Sequence, residues 1–577
     1  MSGALDKRAV AEALEQIAAF MELKGENVFR VRTFRTVAKT VGGLPGTLAE
    51  ALADGSLAAT KGVGPATLEV VNELARTGHS TLLEELREQV PPGLVEMLAI
   101  SGLGVARIRQ IHETLGIDSL PDLEAAAGDG RLAALPRFGQ KTADNIKKSI
   151  AFLRQASGLR LAHHAAEEAR ALEAALGRVS GVLSATAAGD VRRKAEVVRD
   201  LVVVLVAEVP PAEVFARLAQ ASGVHEFAGQ DERRATLRFA GGGAAQVIVT
   251  PPQNAGAVLV QATGSEAHLA ALAERAAAQG CSLRGAALWR GSEFVATPDE
   301  AAFYAALGLA WVPPELREGG GEVAAAAAGA LPTLLEPADI RGFLHCHTNY
   351  SDGSNSVADL AAGVRAAGYA WMGITDHSQA AAYAGGLSPE ALRRQADEVR
   401  TVQATMPDFR ILHGIEADIL ADGHLDYDEE VLSRLDFVIG SIHSRFNLTG
   451  PEMTARVLTA LDNPYLTILG HPTGRLLLSR DAYAIDLEAI FEKAGRLGVA
   501  IEINADPHRL DLDWRVLPSA RRKGVMISIG ADAHNLAGLG NVAHGVGVAR
   551  KGWLGPDAVL NTRTAEGFLA FARARRP

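Results

Sequence analysis

Cysteine is almost missing from this chain. Cys281 and Cys346 are the only two in 577 residues, and they stand far apart. That excludes a disulfide framework and points to a reducing compartment, the cytoplasm. Aromatic residues are also few, at 5%, whereas Leu, Ala, Val and Gly are plentiful, as in a soluble globular protein. No apolar run reaches the ~18 residues that a membrane helix needs. The opening segment MSGALDKRAV lacks the charged-then-apolar pattern of a signal peptide. A basic excess is missing too: the net charge is −11, which does not advertise a nucleic-acid binder. Acids and bases balance over residues 1–160, however, so the acidic excess lies beyond them. The length exceeds one hydrophobic core and implies roughly three to five domains.

What is present changes character along the chain. Residues 1–80 and 81–160 read as two helical domains, with apolar residues at helical spacing in AVAEALEQIAAFMEL and TLLEELREQV. Three segments there share one plan: KGVGPAT (61–67), SGLGVAR (101–107) and PRFGQKT (136–142). Each is a small glycine turn opening a helix, the pattern of a helix–hairpin–helix. Glycines let backbone N–H groups approach a phosphate, and a helix N-terminus adds positive potential. One such turn is usually only a turn. Three in a small helical region predict contacts to a DNA backbone through Lys61, Gly62, Gly64, Gly102, Gly104, Arg107, Gly139 and Lys141, with Lys147 and Lys148 adding charge.

Residues 161–260 mix helix with the strand-like runs LVVVLVAEV and AAQVIVT, and 261–318 return to helix. Residues 319–340 are rich in Gly, Ala and Pro and read as a linker, although the Ala run suits a short helix. From 341 to 577 seven strand-like runs alternate with helical segments: FLHCH, WMGITDH, FRILHGIE, LDFVIGSIH, YLTILGH, VAIEIN and VMISIGADAH. That alternation predicts βα units and a mainly parallel α/β barrel, whose site lies at the C-terminal strand ends.

Those strand ends are rich in ligand-type residues. His345 and His347 sit two apart, so period two puts both imidazoles on one face. Asp352 follows in the next turn; His377, Glu416, His443 and His471 close the next four strands, and Asp532 and His534 close the last. A lone strand-end histidine is usually a hydrogen-bonded bystander, but nine such residues at one end exceed the needs of one ion. They predict two or three divalent ions, with imidazole plus carboxylate suiting Zn²⁺, Mn²⁺ or Fe²⁺. Such clusters make hydroxide near neutral pH and offset charge on phosphate oxygens, the needs of phosphoester hydrolysis. Glu416 is placed to bridge ions, and Asp376 to orient a ligand from behind or to cap a helix.

HCHTNYSDG, ITDH, GIEADIL, IHSRF, GHP, EINAD and ADAH resemble the successive motifs of the PHP (polymerase and histidinol phosphatase) domain. Phe343 departs from that pattern, which usually has Asp there. Upstream, residues 180–317 resemble the palm and thumb of family X DNA polymerases: GDVRRKAEVVRDLVVVLVA, QVIVTPPQNAG, TGSEAH and WVPPELREG follow that order. With the helix–hairpin–helix region, the chain has the layout of bacterial family X polymerases carrying a C-terminal PHP domain.

The resemblance implies three palm carboxylates holding two metal ions. Asp200 fills the first position, but Val202 and Gln246 occupy the others, and Asp190 stands where a triphosphate-binding serine is expected. Gln261 and Ala262 replace an aromatic pair beneath the incoming nucleotide. Arg192 and Arg193 remain as candidate phosphate contacts. Polymerisation from a dNTP is predicted weak or absent, with at most weak Mg²⁺ or Mn²⁺ binding in the palm. A Schiff-base lyase lysine is missing as well: Val70 falls at its place, leaving only a displaced Lys61. The resemblance implies a monomeric, nucleoid-associated DNA-repair enzyme and metal-dependent 3′–5′ exonuclease acting on gapped, 3′-recessed or single-stranded 3′ ends, with Arg445 and Arg509 contacting the scissile strand. The alternatives are a gap-filling Mn²⁺-dependent polymerase in which Glu196 helps Asp200 improvise a metal site, a DNA-binding scaffold without catalysis, and a small-molecule phosphatase.

Overall fold

The computed structural model describes residues 7–44, 48–60, 62–100, 102–221, 224–229, 231–239 and 243–577, in two compact units spanning 1–157 and 158–577. Among the described residues, no helix is long and apolar enough to cross a membrane.

The first unit is helical. Val10, Leu14, Ile17 and Met21 recur at helical spacing along Lys7–Leu23 and are fully buried, against Val37, Val71, Ile108, Ile111 and Ile146 from later helices. Gly62 (φ +98°) and Gly102 (φ +78°) make the left-handed turns that only glycine adopts at little cost. Gly64 and Gly104 then cap the helices Pro65–Thr77 and Val105–Leu115. The third turn is built differently. Arg137 and Gly139 are both left-handed, and the helix begins at Gly139 itself. Lys61 lies outside the described residues.

The second unit opens with a five-stranded sheet: β1 (Val182–Ala187), β2 (Leu201–Ala207), β3 (Val224–Gly229), β4 (Arg234–Phe239) and β5 (Ala244–Thr250), ordered β1-β2-β5-β4-β3. Only β2 and β5 pair in parallel. A small antiparallel sheet of β6 (Cys281–Arg284), β7 (Ala287–Arg290) and β8 (Glu293–Val295) follows the helices Ala255–Thr263 and Glu266–Ala278. Residues 319–340 are not the free tether that their composition suggests. A helix over Glu322–Ala327 buries Val323 and Ala326, Glu322 meets His268 Nδ1 at 2.5 Å, and Leu335 N donates to Leu554 O.

Seven parallel strands then close into a barrel: β9 (Gly342–Cys346), β10 (Trp371–Ile374), β11 (Arg410–Asp418), β12 (Phe437–Ser441), β13 (Ile468–Leu469), β14 (Ala500–Asn504) and β15 (Ile527–Ala533). Every strand is buried apart from Arg410, so the strands read as apolar runs without alternation. Leu344, Trp371, Leu412, Phe437 and Ile468 fill one end with Phe568 from the last helix, Ala565–Arg573. The opposite end, where the strands finish, is left for polar groups. Phe343 sits in the apolar layer between strands and helices, edge-on to Tyr369 at 5.3 Å, so the departure at this position is absorbed by packing.

Candidate metal centre

All nine predicted ligand positions converge at the C-terminal mouth of the barrel. They form four overlapping groups able to hold an ion: His347, Asp352, His377 and His534; His345, His471 and Asp532; His345, His347 and Glu416; and His377, Glu416 and His443. Glu416, on β11, is the hub. Its Oε1 faces His345 Nε2 (3.3 Å), His443 Nε2 (3.3 Å) and His471 Nε2 (3.0 Å), while Oε2 faces His377 Nδ1 (2.9 Å) and His347 Nε2 (3.8 Å). A carboxylate with imidazoles on both oxygens suits bridging. Asp532 meets His347 Nε2 at 3.3 Å, and Asp352 meets His534 Nε2 at 3.4 Å.

The backbone strains to achieve this. His345 (φ +59°) and Asp532 (φ +50°) are left-handed, and the β9–β15 register shifts between Leu344 and Cys346. A bulge of this kind re-aims a side chain, and each such non-glycine residue costs about 1–3 kcal/mol. Simple strand alternation is therefore not what brings His345 and His347 together.

Burial and charge fit a cation. His345 Nε2, both nitrogens of His347, His377 Nδ1, His471 Nδ1 and Glu416 Oε2 are buried without a hydrogen-bond partner. Orphaned buried donors and acceptors are costly unless something else binds them. Burial would raise Glu416 and Asp532, yet the surrounding imidazoles, with Arg509 beside Asp532, hold both far below the usual carboxylate range. Burial likewise opposes charge on His443 and His534, but Glu416 and Asp418 push His443 up to about 10, and Asp352 and Asp532 push His534 up to about 9. The donor set of imidazole and carboxylate is one that binds divalent metal.

Two supporting acids went unread in the sequence. Glu502, on β14 and fully buried, meets His345 Nδ1 at 2.5 Å and accepts from His471 N at 2.7 Å. Gly530 makes room for it, since a Cβ there would lie 1.8 Å from Glu502 Oε1. Asp418 holds His443 Nδ1 at 2.5 Å. Each carboxylate fixes which ring nitrogen faces the mouth. The signal was present: Asp418 closes its strand two residues after Glu416, and Glu502 is the one acid inside the apolar run VAIEIN.

Asp376 does not touch a ligand imidazole. It accepts from Thr348 N (2.8 Å), Thr348 Oγ1 (2.7 Å), Ser351 Oγ (2.5 Å) and Gln395 Nε2 (2.5 Å), and so pins the loop that carries Asp352. It caps no helix. Arg509 reaches Asp532 Oδ2 at 3.4 Å and is three-quarters buried, whereas Arg445 is exposed and left-handed (φ +57°).

The polymerase-type cleft is different. Val202 and Gln246 are direct register partners on β2 and β5, so the second and third carboxylate positions lie side by side with no carboxylate in either. Both line a cleft of about 790 Å³ with Gln261, Ala262, Arg284 and Trp289. Asp200 is exposed just ahead of β2. The two candidate phosphate arginines are already engaged. Arg192 forks onto Glu300 (2.5 and 2.9 Å), and Arg193 pairs with Asp190 and with Glu318 (3.0 Å). Glu196 points away to accept from Arg515 Nη1 at 2.8 Å, so it does not join Asp200 in a metal site.

In the helical unit Arg107 Nη1 donates to Gly102 O (3.0 Å) and lies over Phe138, bracing the hairpin, whereas Lys141, Lys147 and Lys148 are exposed. Val70 is buried in the helix after the first hairpin.

Comparison with known proteins agrees with this layout. Residues 6–80 match a helix–hairpin–helix domain, 94–151 a SAM-like helix–hairpin–helix tandem, 258–318 the DNA polymerase beta thumb and 344–506 the PHP domain. A DNA polymerase/3′-5′ exonuclease PolX of Bacillus subtilis (strain 168) is 35% identical over 573 residues, 99% of this chain and 100% of its own. Probable phosphatases of Clostridium novyi (38% identical over 97 residues, 16% of this chain and 37% of theirs) and Acetivibrio thermocellus (32% over 164 residues, 28% and 63%) are also similar. Fold and site thus define an enzyme with a PHP barrel, whose mouth carries a donor set suited to divalent metal, joined to a polymerase-type thumb and to modules that imply DNA as the partner. More specifically, the chain belongs to the PolX family, the family X DNA polymerases with a C-terminal PHP domain.

Proposed function

We propose that the chain is a DNA-repair nuclease whose barrel mouth hydrolyses phosphodiester bonds at DNA 3′ ends, and whose palm polymerises weakly or not at all. One contrast carries the reading. The barrel fills all nine ligand positions, while Val202 and Gln246 sit paired where the palm needs two carboxylates. His345, His347, Asp352, His377, Glu416, His443, His471, Asp532 and His534 would hold two or three ions, with Mn²⁺, Zn²⁺ and Fe²⁺ all compatible with the donor set. Bound there, such ions lower the pKa of water toward neutrality and offset charge on the phosphate.

The chain's own residues do the rest. Glu502 and Asp418 keep the His345 and His443 rings oriented. Asp376 holds the Thr348–Ser351 loop, and with it Asp352, at the mouth. Arg509, charged and partly buried beside Asp532, presents a cation to an approaching phosphate oxygen. Arg445, exposed in the loop after β12, forms no ion pair among the described residues and can meet the scissile strand. Lys141, Lys147 and Lys148 suit contacts to the duplex backbone without reading sequence.

The test is a metal-by-substrate matrix with labelled single-stranded, gapped and 3′-recessed DNA, with and without dNTPs. Mn²⁺-dependent shortening from the 3′ end that His345→Ala abolishes is the expected result. Robust primer extension abolished by Asp200→Ala would overturn the palm half of the reading.

A further inference from the structure

Large apolar side chains are seldom left exposed beside a buried polar site, and Tyr383 is such a case. It is 71% exposed, and its ring centroid lies 6.0 Å from that of His377 and 6.2 Å from that of His443. It therefore stands at the rim of the metal centre, level with two of the converging imidazoles.

The segment that carries it is built to hold it still. Residues 378–387 leave the barrel after His377 and return, closing on Leu387 N→His377 O (2.9 Å) and on a bridge between Ser378 and Leu387. Ala380 N donates to Asp426 Oδ2 (2.9 Å), and Gln379 Nε2 to Asp426 O (2.5 Å). Ala381 and Ala384, on either side of the ring, are buried and anchor the turn. Gly386 passes so close to Ser378 that a Cβ would lie 1.9 Å from its carbonyl oxygen. A tight, anchored turn thus presents one aromatic face to solvent beside the centre.

We propose that Tyr383 is the stacking platform for the base of the 3′-terminal nucleotide, placing that nucleotide's phosphodiester over the metal centre. The proposal rests on the DNA-hydrolysing reading above and adds a base-binding subsite to it. An aromatic face accepts any base, because every base has a π-face. A single-ring platform therefore suits an enzyme that removes successive nucleotides regardless of sequence. A rigid side chain with only two rotatable angles also loses little entropy on stacking.

The experiment uses the full chain with Mn²⁺ and two oligonucleotides of equal length, one ending in a 3′ adenosine nucleotide and one in a 3′ abasic residue. The readout is the ratio of their kcat/KM values for removal of the last residue. Wild type is expected to favour the base-bearing end at least tenfold, chiefly through KM. Tyr383→Ala and Tyr383→Leu are expected to collapse that ratio toward one, and Tyr383→Phe to retain it. A wild-type ratio near one, or a ratio that Tyr383→Ala leaves intact, overturns the stacking platform while the nuclease reading stands. Failure of wild type to shorten either oligonucleotide overturns the nuclease reading and the platform with it.

Discussion

Glu502 shows how much one side chain settles at the residue scale. Its two oxygens reach His345 Nδ1 and the His471 backbone N–H respectively. Glu502→Gln keeps the shape but loses the charge that holds the ring. Metal affinity, measured by calorimetric titration of Mn²⁺, is expected to fall roughly 10- to 100-fold. His413 belongs to the same scale and makes a pH prediction. It is buried behind the site against Gln395, and burial lowers it to about 4, whereas an unfolded histidine titrates near 6.5. The unfolded state therefore binds more protons between those values. Stability from neutral His413 is complete above about pH 6.5 and is lost as pH falls toward 4. From pH 7 to 5 the loss is expected to be about 2 kcal/mol by urea unfolding, and His413→Gln should flatten that profile.

At the scale of elements, Glu300 decides how the helix Glu300–Ala306 sits. It takes both Arg192 and the fully buried Arg317, whose Nη1 and Nη2 lie 2.6 and 3.0 Å from its two oxygens. Although burial would raise it, those arginines hold Glu300 down at about 2. Glu300→Ala strands two guanidinium groups and is expected to cost about 3–5 kcal/mol, read as a lower unfolding midpoint.

This network also shows where the sequence stops being legible. The seven barrel strands and their ligand residues could be read because each strand is an apolar run and most of the runs end in His, Asp or Glu, a local pattern. Arg192 and Glu300 are 108 residues apart, and no local period encodes their pairing. The left-handed backbone at His345 and Asp532 was hidden for a related reason, since only barrel closure imposes it. Composition misled over residues 319–340, where Val323, Ala326 and Leu334 enter a small apolar core and tie the segment down.

At the scale of the whole second unit, the sheet and the barrel are joined by buried charge. Glu196, just before β2, takes Arg515, and Arg475 lies 3.9 Å from the same oxygen. Arg475 Nε in turn donates to Arg509 O at 3.0 Å, and Arg509 reaches Asp532. Small displacements at a reacting centre are expensive. Glu196→Ala is therefore expected to lower the kcat of Mn²⁺-dependent 3′ hydrolysis roughly tenfold with KM little changed. Unchanged kcat would show that the barrel stands without this support. Lys551 makes a second joint, buried beneath Trp514 and bonded to Glu318 and to Arg193 O. These joints bear on how such a gene can evolve. Truncation to the barrel alone would strip the buried Lys551 of Glu318 and of the Arg193 carbonyl, and would leave Arg515 only Asp513 in place of Glu196. Residues 189–196 thus brace the barrel from the sheet side, whereas Val202 and Gln246 take no part in either joint.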